Sequence, residues 1–124
     1  KACLFLAAAT ADAATLVVTS AADTGGTTCG SVCTLRQAIN VANATTAPDT
    51  IHFAIAVPIR GEILITPATP LPTITQPLTI NGYSQSGTRI NDDPSFSNAV
   101  LRIRLSGQAQ GASSSGLRVC APDV

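Results

Sequence analysis

The chain has 124 residues, only 11% of them charged, and its Lys and Arg residues equal its Asp and Glu residues in number. This balance argues against nucleic-acid binding and against an anionic membrane surface, because no basic stripe or polybasic cluster is available. The apolar 45% comes mainly from Ala, Val, Ile and Leu, with one Tyr and no Trp or Met. Such a composition favours many short strands joined by turns.

The first segment has the order of residues that is typical of secretory signal peptides. Lys1 precedes an uncharged apolar run at 2–9, and Ala11-Asp12-Ala13 supplies the small side chains that signal peptidase accepts. The run is much shorter than the roughly 20 residues that span a bilayer. We therefore predict that 1–13 is a signal-peptide remnant and that the protein is exported. A buried first helix or strand is the alternative.

The cysteines fit an oxidising compartment, where disulfides persist. Cys29 and Cys33 are separated by three residues of a flexible stretch, and we expect a short-range disulfide between them. Zinc binding is the alternative, but a C-x3-C pair needs two more ligands, and His52 with Cys120 makes a poor second pair. Removal of Cys3 with the signal peptide would leave Cys120 for a partner beyond this chain.

A short helix is predicted after a loop at 21–31. Thr34 and Gln37 have the spacing of a capping box, in which each side chain bonds the backbone N–H of the other residue. Apolar residues then recur at helical spacing and form one stripe, which consists of Leu35, Ala38, Ile39 and Ala42. A helix of about nine residues does not persist alone in water, so this stripe must be docked. Arg36, Gln37, Asn40 and Asn43 are expected on the other faces of the helix.

Strand patterns occupy the rest of the chain. One strand is predicted before the helix, at 16–20, and no stretch after Pro48 has helical periodicity. The predicted strands after Pro48 are 50–55, 62–66, 78–82 and 101–107, and another begins at 116–119. Strands without crossover helices form either antiparallel sheets or a solenoid.

Residues that could carry chemistry are few. Asp92 and Asp93 are adjacent acids, but their turn-forming surroundings fit a solvated loop with Asx turns better than a general acid–base pair. His52 lies on a predicted strand and has no evident nucleophile beside it. Asp49 fits a turn cap better than a calcium ligand. No cofactor, metal or catalytic constellation is therefore expected within these residues.

Four segments, in order, resemble a known family. They are Cys33–Ile39, Ala42–Ala44, Pro48–Phe53 and Leu71–Gly82. Their order and spacing resemble the CSLREA-type N-terminal region of bacterial secreted right-handed parallel β-helix proteins, over roughly residues 16–120. Thr34 replaces the usual Ser and Gln37 the usual Glu, and both replacements keep the chemistry of the capping box.

The resemblance implies an all-β fold, the start of a right-handed parallel β-helix with a short N-terminal capping helix. The chain then divides into a signal-peptide remnant (1–13), an N-terminal strand and capping helix (14–49), and the first coils of a β-helix that continues beyond this chain (50–124). A β-helix exposes its apolar interior and unpaired strand edges at its ends. The apolar stripe would cover the first coil, and a Cys29–Cys33 link would fix the start of the helix.

The resemblance also implies a secreted or cell-surface protein, although it implies no single activity. We expect this chain to cap and initiate a β-helix that acts as an adhesin-like binding protein, with polysaccharide or cell-surface glycan bound by later coils. The alternative is a polysaccharide lyase or glycoside hydrolase whose active site lies on those coils. Arg102 and Arg104 share one face of a predicted strand and could bind acidic sugars, as in pectate-lyase-like relatives, although a solvated face is the more common situation.

Overall fold

The computed structural model describes residues 12–56, 61–112 and 114–121, so most of the predicted signal-peptide remnant lies outside the described residues. Five strands, one α-helix and one short 3-10 helix are present in the described ranges. They are β1 (Thr15–Val18), α1 (Leu35–Asn43), β2 (Asp49–Phe53), β3 (Ile63–Ile65), β4 (Leu78–Asn81), the 3-10 helix Gly82–Ser84, and β5 (Ile103–Leu105).

The named strands pair only in parallel. One sheet has the order β1-β2-β4, and a second sheet pairs β3 with β5. A parallel bridge between Ile74 and Val119 forms a third place of pairing. After β1, the chain passes through these three places of pairing twice in the same order. The first circuit comprises β2, β3 and Ile74, and the second circuit comprises β4, β5 and Val119.

The core lies between these places of pairing because side chains alternate along each strand. In β2, Ile51 and Phe53 are buried while His52 is half-buried, and in β3, Ile63 and Ile65 are buried on either side of an exposed residue. These side chains form one cluster with β1 and with the apolar stripe of α1. Aliphatic residues dominate the cluster, as expected for closely spaced layers of strands.

The strands predicted before residue 108 are present with different bounds, and the one predicted at 116–119 is reduced to the bridge at Val119. One part of the predicted alternation is wrong. The pattern at 101–107 places Leu101 on the same face as Ile103 and Leu105, but β5 begins only at Ile103 and Leu101 is 62% exposed. The reason is a local antiparallel bridge between Arg89 and Val100, which closes a loop at 82–102. At Leu101 the chain is still leaving this loop. Leu101 therefore does not share the inward face of β5, although it fits the alternating pattern.

Side chains replace strand pairing where the second circuit leaves the sheet after β4. The Phe53 N–H donates to Ser84 Oγ at 2.7 Å. The Gln85 amide pairs with both backbone groups of Ile55, accepting from its N–H and donating to its carbonyl oxygen, each at 2.9 Å. Gln85 is buried and fully paired by these bonds. The loop can therefore depart without leaving buried backbone groups of the first circuit unsatisfied.

Candidate capping site

The N-terminus of α1 is held by its own side chains. The Gln37 N–H donates to Thr34 Oγ1 at 3.2 Å, and the Thr34 N–H donates to Gln37 Oε1 at 2.9 Å, so both bonds of the capping box are present. The buried residues of the nine-residue helix are Leu35, Ala38, Ile39 and Ala42. Ile39 is completely buried. The helix is docked through this stripe, as a helix of this length requires.

A disulfide and backbone hydrogen bonds of Cys33 hold the start of α1. Cys29 and Cys33 are bonded to each other, which leaves neither thiolate to bind zinc. The carbonyl oxygen of Cys33 accepts the N–H groups of Thr19 at 2.9 Å and of Ser20 at 3.1 Å. The helix start is thus fixed to the chain that follows β1. Cys120 lies outside this pair and is itself disulfide-bonded.

On one side of the first circuit, side chains bond the backbone groups of the segment 68–75. The Asn43 amide accepts the Thr75 N–H at 2.9 Å and donates to the Thr73 carbonyl at 2.8 Å. The backbone groups of Ile74 point the other way and bond to residues 118 and 120, next to its bridge partner Val119. Backbone groups of successive residues in a strand point to opposite edges. Asn43 therefore makes the pair of bonds that a neighbouring strand would make.

Asp23 and Arg36 bond the backbone of the bend at 68–70, which precedes the edge that Asn43 bonds. Asp23 Oδ2 accepts the Ala68 N–H at 2.9 Å. The Arg36 guanidinium donates to the carbonyl oxygens of Thr69 at 2.8 Å and of Pro70 at 2.9 Å. We name Asp23, Arg36 and Asn43 the capping site. Together the three side chains bond five backbone groups of the segment 68–75.

Asp23 and Arg36 also bind each other. The guanidinium donates to both carboxylate oxygens, with Nε to Oδ1 at 2.9 Å and Nη2 to Oδ2 at 3.0 Å. The side chains are only 19% and 14% exposed. Burial raises the pKa of Asp23, but the hydrogen bonds from Arg36 and from the Ala68 N–H, together with the charge of Arg36, outweigh burial and hold the pKa below its usual value. The pair is therefore ionised in neutral solution.

Arg36 lies outside the apolar stripe of α1, as expected, but its side chain bonds distant parts of the chain. Its acceptors lie 13 residues before it, in Asp23, and 33 and 34 residues after it, in Thr69 and Pro70. Helical periodicity alone marks Arg36 as outside the apolar stripe, which is correct. It does not show that another part of the chain covers that face. Asp23 was missed for the same reason, since it lies in a polar loop without any periodic pattern.

The two arginines singled out from the sequence are each engaged separately. Arg102 donates to the carbonyl oxygens of Gly61 at 2.9 Å and of Gly87 at 3.2 Å. Arg104 forms an exposed ion pair with Glu62 at 3.2 Å. Arg102 thus holds the loop at 82–102 against the turn before β3. Arg104 is the more accessible of the two for a ligand, because exposed ion pairs are weak.

The remaining candidates occupy structural positions. Asp93 accepts the N–H groups of Ser95 and Phe96, which is the Asx-turn geometry expected from the sequence. Asp92 accepts from Asn98 and Arg89, and these hydrogen bonds lower its pKa. Within the described ranges, no group of three His, Cys, Asp or Glu residues could hold a metal ion.

The side of the fold opposite α1 is less covered. In the second circuit Leu78 is buried, but the inward-facing residues Ile80, Ile103 and Leu105 are only partly buried, whereas those of the first circuit are all buried. Val119 is exposed, although it bridges to the buried Ile74. Burial therefore decreases from the first circuit to the second.

The chain has no detected relatives. No family model, no curated protein and no solved structure matches it. In the part of the chain that the structure describes, no helix is long and apolar enough to cross a membrane.

Proposed function

We propose that this chain caps and initiates a right-handed parallel β-helix in an exported protein, in keeping with its resemblance to the CSLREA-type region. The observation that carries the proposal is the segment 68–75, where the capping site bonds the backbone and Asn43 makes the bonds of a neighbouring strand. An open edge is a template for pairing with other chains. Side chains that satisfy its backbone groups remove that template, while the stripe of α1 covers the apolar interior.

The order of the circuits supports the solenoid. β4 pairs with the side of β2 that faces away from β1, and residues 118–120 bond the side of 73–75 that faces away from Asn43. A third circuit would therefore lie on β4, β5 and Val119. The partly buried residues of the second circuit would then be covered in the same way as those of the first. Parallel strands joined by crossover connections are almost always right-handed, which favours that hand.

On this proposal the protein is secreted or held at the cell surface, and its ligands are polysaccharides or surface glycans bound by later circuits. The role within this chain is structural. An adhesin-like binding protein remains the proposed class, with a lyase or hydrolase as its alternative through the resemblance alone. Arg102 carries no argument for a sugar site, because its guanidinium already bonds two backbone carbonyls.

The test is Ile39→Asp in the full-length protein. Ile39 is completely buried, so the carboxylate must either be desolvated or push α1 away from the first circuit. Burying an unpaired charge costs several kcal/mol, which is comparable with the stability of a domain, so undocking is expected. The variant should aggregate or oligomerise in size-exclusion chromatography while it keeps a β-rich circular dichroism spectrum.

Val32→Asp is the matched control. It introduces the same carboxylate two residues before the N-cap of α1, at a position that is 69% exposed. This variant should elute as the wild type does. If Ile39→Asp is also as monodisperse as the wild type, α1 does not protect an open end and the proposed function is wrong.

A further inference from the structure

Asp49 is a buried acid that the capping proposal does not use. It is the first residue of β2 and is only 2% exposed. Its Oδ1 accepts the Ala14 N–H at 2.7 Å, and its Oδ2 accepts the Thr45 hydroxyl at 3.0 Å. Both donors are neutral. Among the described residues, no Lys, Arg or His forms an ion pair with Asp49.

A buried carboxylate without a cation is unfavourable, because burial removes its hydration and neutral donors compensate only in part. A positive charge at either donor position would turn a neutral hydrogen bond into a stronger, charge-assisted one. The Ala14 nitrogen is the shorter of the two contacts. It also directly follows Ala11-Asp12-Ala13, the sequence that predicts cleavage by signal peptidase.

We propose that Asp49 is the binding site for a new N-terminus that processing creates at Ala14. This inference rests on the export part of the proposed function. Hydrolysis of the Ala13–Ala14 peptide bond consumes one water molecule and leaves a carboxylate on Ala13 and an α-ammonium on Ala14. The nitrogen that now donates at 2.7 Å would then carry the positive charge that Asp49 lacks.

The surrounding geometry holds Ala14 in place for this pairing. The Ala14 carbonyl oxygen accepts the Thr50 N–H at 2.9 Å, next to the β1–β2 ladder in which Thr15 pairs with Thr50. Asp12 and Ala13, the described residues that cleavage would remove, are exposed, so their loss uncovers no core. The ion pair therefore forms without rearranging the sheet. Processing would fasten the first strand of the fold to the first circuit.

The test compares two forms of the processed chain, both beginning at Ala14, one with a free α-amine and one with that amine acetylated. Acetylation keeps an N–H donor but removes the charge. The free form should unfold at a midpoint higher by roughly 4 °C or more. Asp49→Asn, which removes the carboxylate charge and leaves a carbonyl acceptor, should abolish the difference between the two forms.

Equal midpoints of the free and acetylated forms with Asp49 intact would overturn the proposal, and this comparison does not depend on the folding of any variant. An equally large difference that persists in Asp49→Asn would also overturn it, because the charge would then act elsewhere. N-terminal sequencing of the exported protein tests the export step separately. A mature chain that begins at a residue other than Ala14 would refute the processing step, while the midpoints still report whether Asp49 can bind the α-ammonium.

Discussion

Arg36→Ala should destabilise the fold much more than the loss of an ordinary surface arginine. The substitution removes both bonds to the Asp23 carboxylate and both bonds to the carbonyl oxygens of Thr69 and Pro70. Asp23 would stay largely covered and would keep the Ala68 N–H as its remaining partner in the bend at 68–70. The variant therefore leaves a poorly hydrated charge and removes the donor of the Pro70 carbonyl, while the Thr69 carbonyl keeps only the Gln110 amide at 3.3 Å.

The magnitude lies between two reference cases. Exposed ion pairs contribute about 0–1 kcal/mol, whereas removing one partner of a fully buried pair costs about 3–5 kcal/mol. Because the side chains of Arg36 and Asp23 are 14% and 19% exposed, we expect a loss of about 2–3 kcal/mol in the free energy of unfolding. With a urea dependence of about 1–3 kcal/mol per molar, the midpoint should fall by about 0.7–3 M.

The assay is urea unfolding of the full-length protein, followed by circular dichroism. Arg104→Ala is the control, because it removes an arginine from an exposed ion pair with Glu62 and should leave the midpoint close to that of the wild type. A cycle with Asp23→Asn isolates the pair, and the two effects should be clearly less than additive. Equal midpoints for Arg36→Ala and Arg104→Ala would refute the reasoning.

The Asp23–Arg36 ion pair makes the stability of the fold depend on pH. The pKa of Asp23 is lower in the folded state than its usual 3.8, so the unfolded chain binds the proton more readily. The stabilisation is then complete above the usual pKa and is lost as the pH falls through the folded value. The stability difference between the wild type and Asp23→Asn should be constant near neutrality and shrink below about pH 4. A difference that grows on acidification would contradict this sign.

Two further substitutions test other contacts. Gln85→Leu should lower the free energy of unfolding by about 1–3 kcal/mol, since it leaves the N–H and carbonyl of Ile55 buried without their partners. Urea unfolding measures this loss. A wild-type midpoint would show that water or a shifted backbone replaces the amide. Cys29→Ser combined with Cys33→Ser should have a modest effect on the midpoint, because the disulfide closes a very short loop, while amide exchange of residues 33–38 should accelerate. Unchanged exchange there would mean that the disulfide does not fix the start of α1.

The local parts of the fold could be predicted from the sequence. The capping box of Thr34 and Gln37 and the apolar stripe with Ile39 at its centre depend on residues within one turn or two of a helix. The Cys29–Cys33 disulfide joins cysteines four apart and is confirmed. The strands could be located because apolar residues alternate along them, although their ends could not.

The capping site could not be predicted in the same way, because its contacts join residues far apart in the chain. Asn43 bonds the backbone of 73–75, some 30 residues away, and no pattern near Asn43 distinguishes it from a helix-terminal asparagine exposed to water. Gln85 bonds Ile55 across an equal separation. Such side chains can make the hydrogen bonds of a neighbouring strand only once the circuits are stacked. Their role therefore depends on the assembled backbone, which sequence periodicity does not specify.

A crystal structure of the full-length exported protein would test the central claim most directly. The account predicts a further strand parallel to β4 on its free edge, another parallel to β5, and no strand of any chain along 68–75, where Asn43 and Arg36 bond the backbone. A strand paired with 68–75 in place of these side chains would contradict the account, as would an antiparallel neighbour on the free edge of β4.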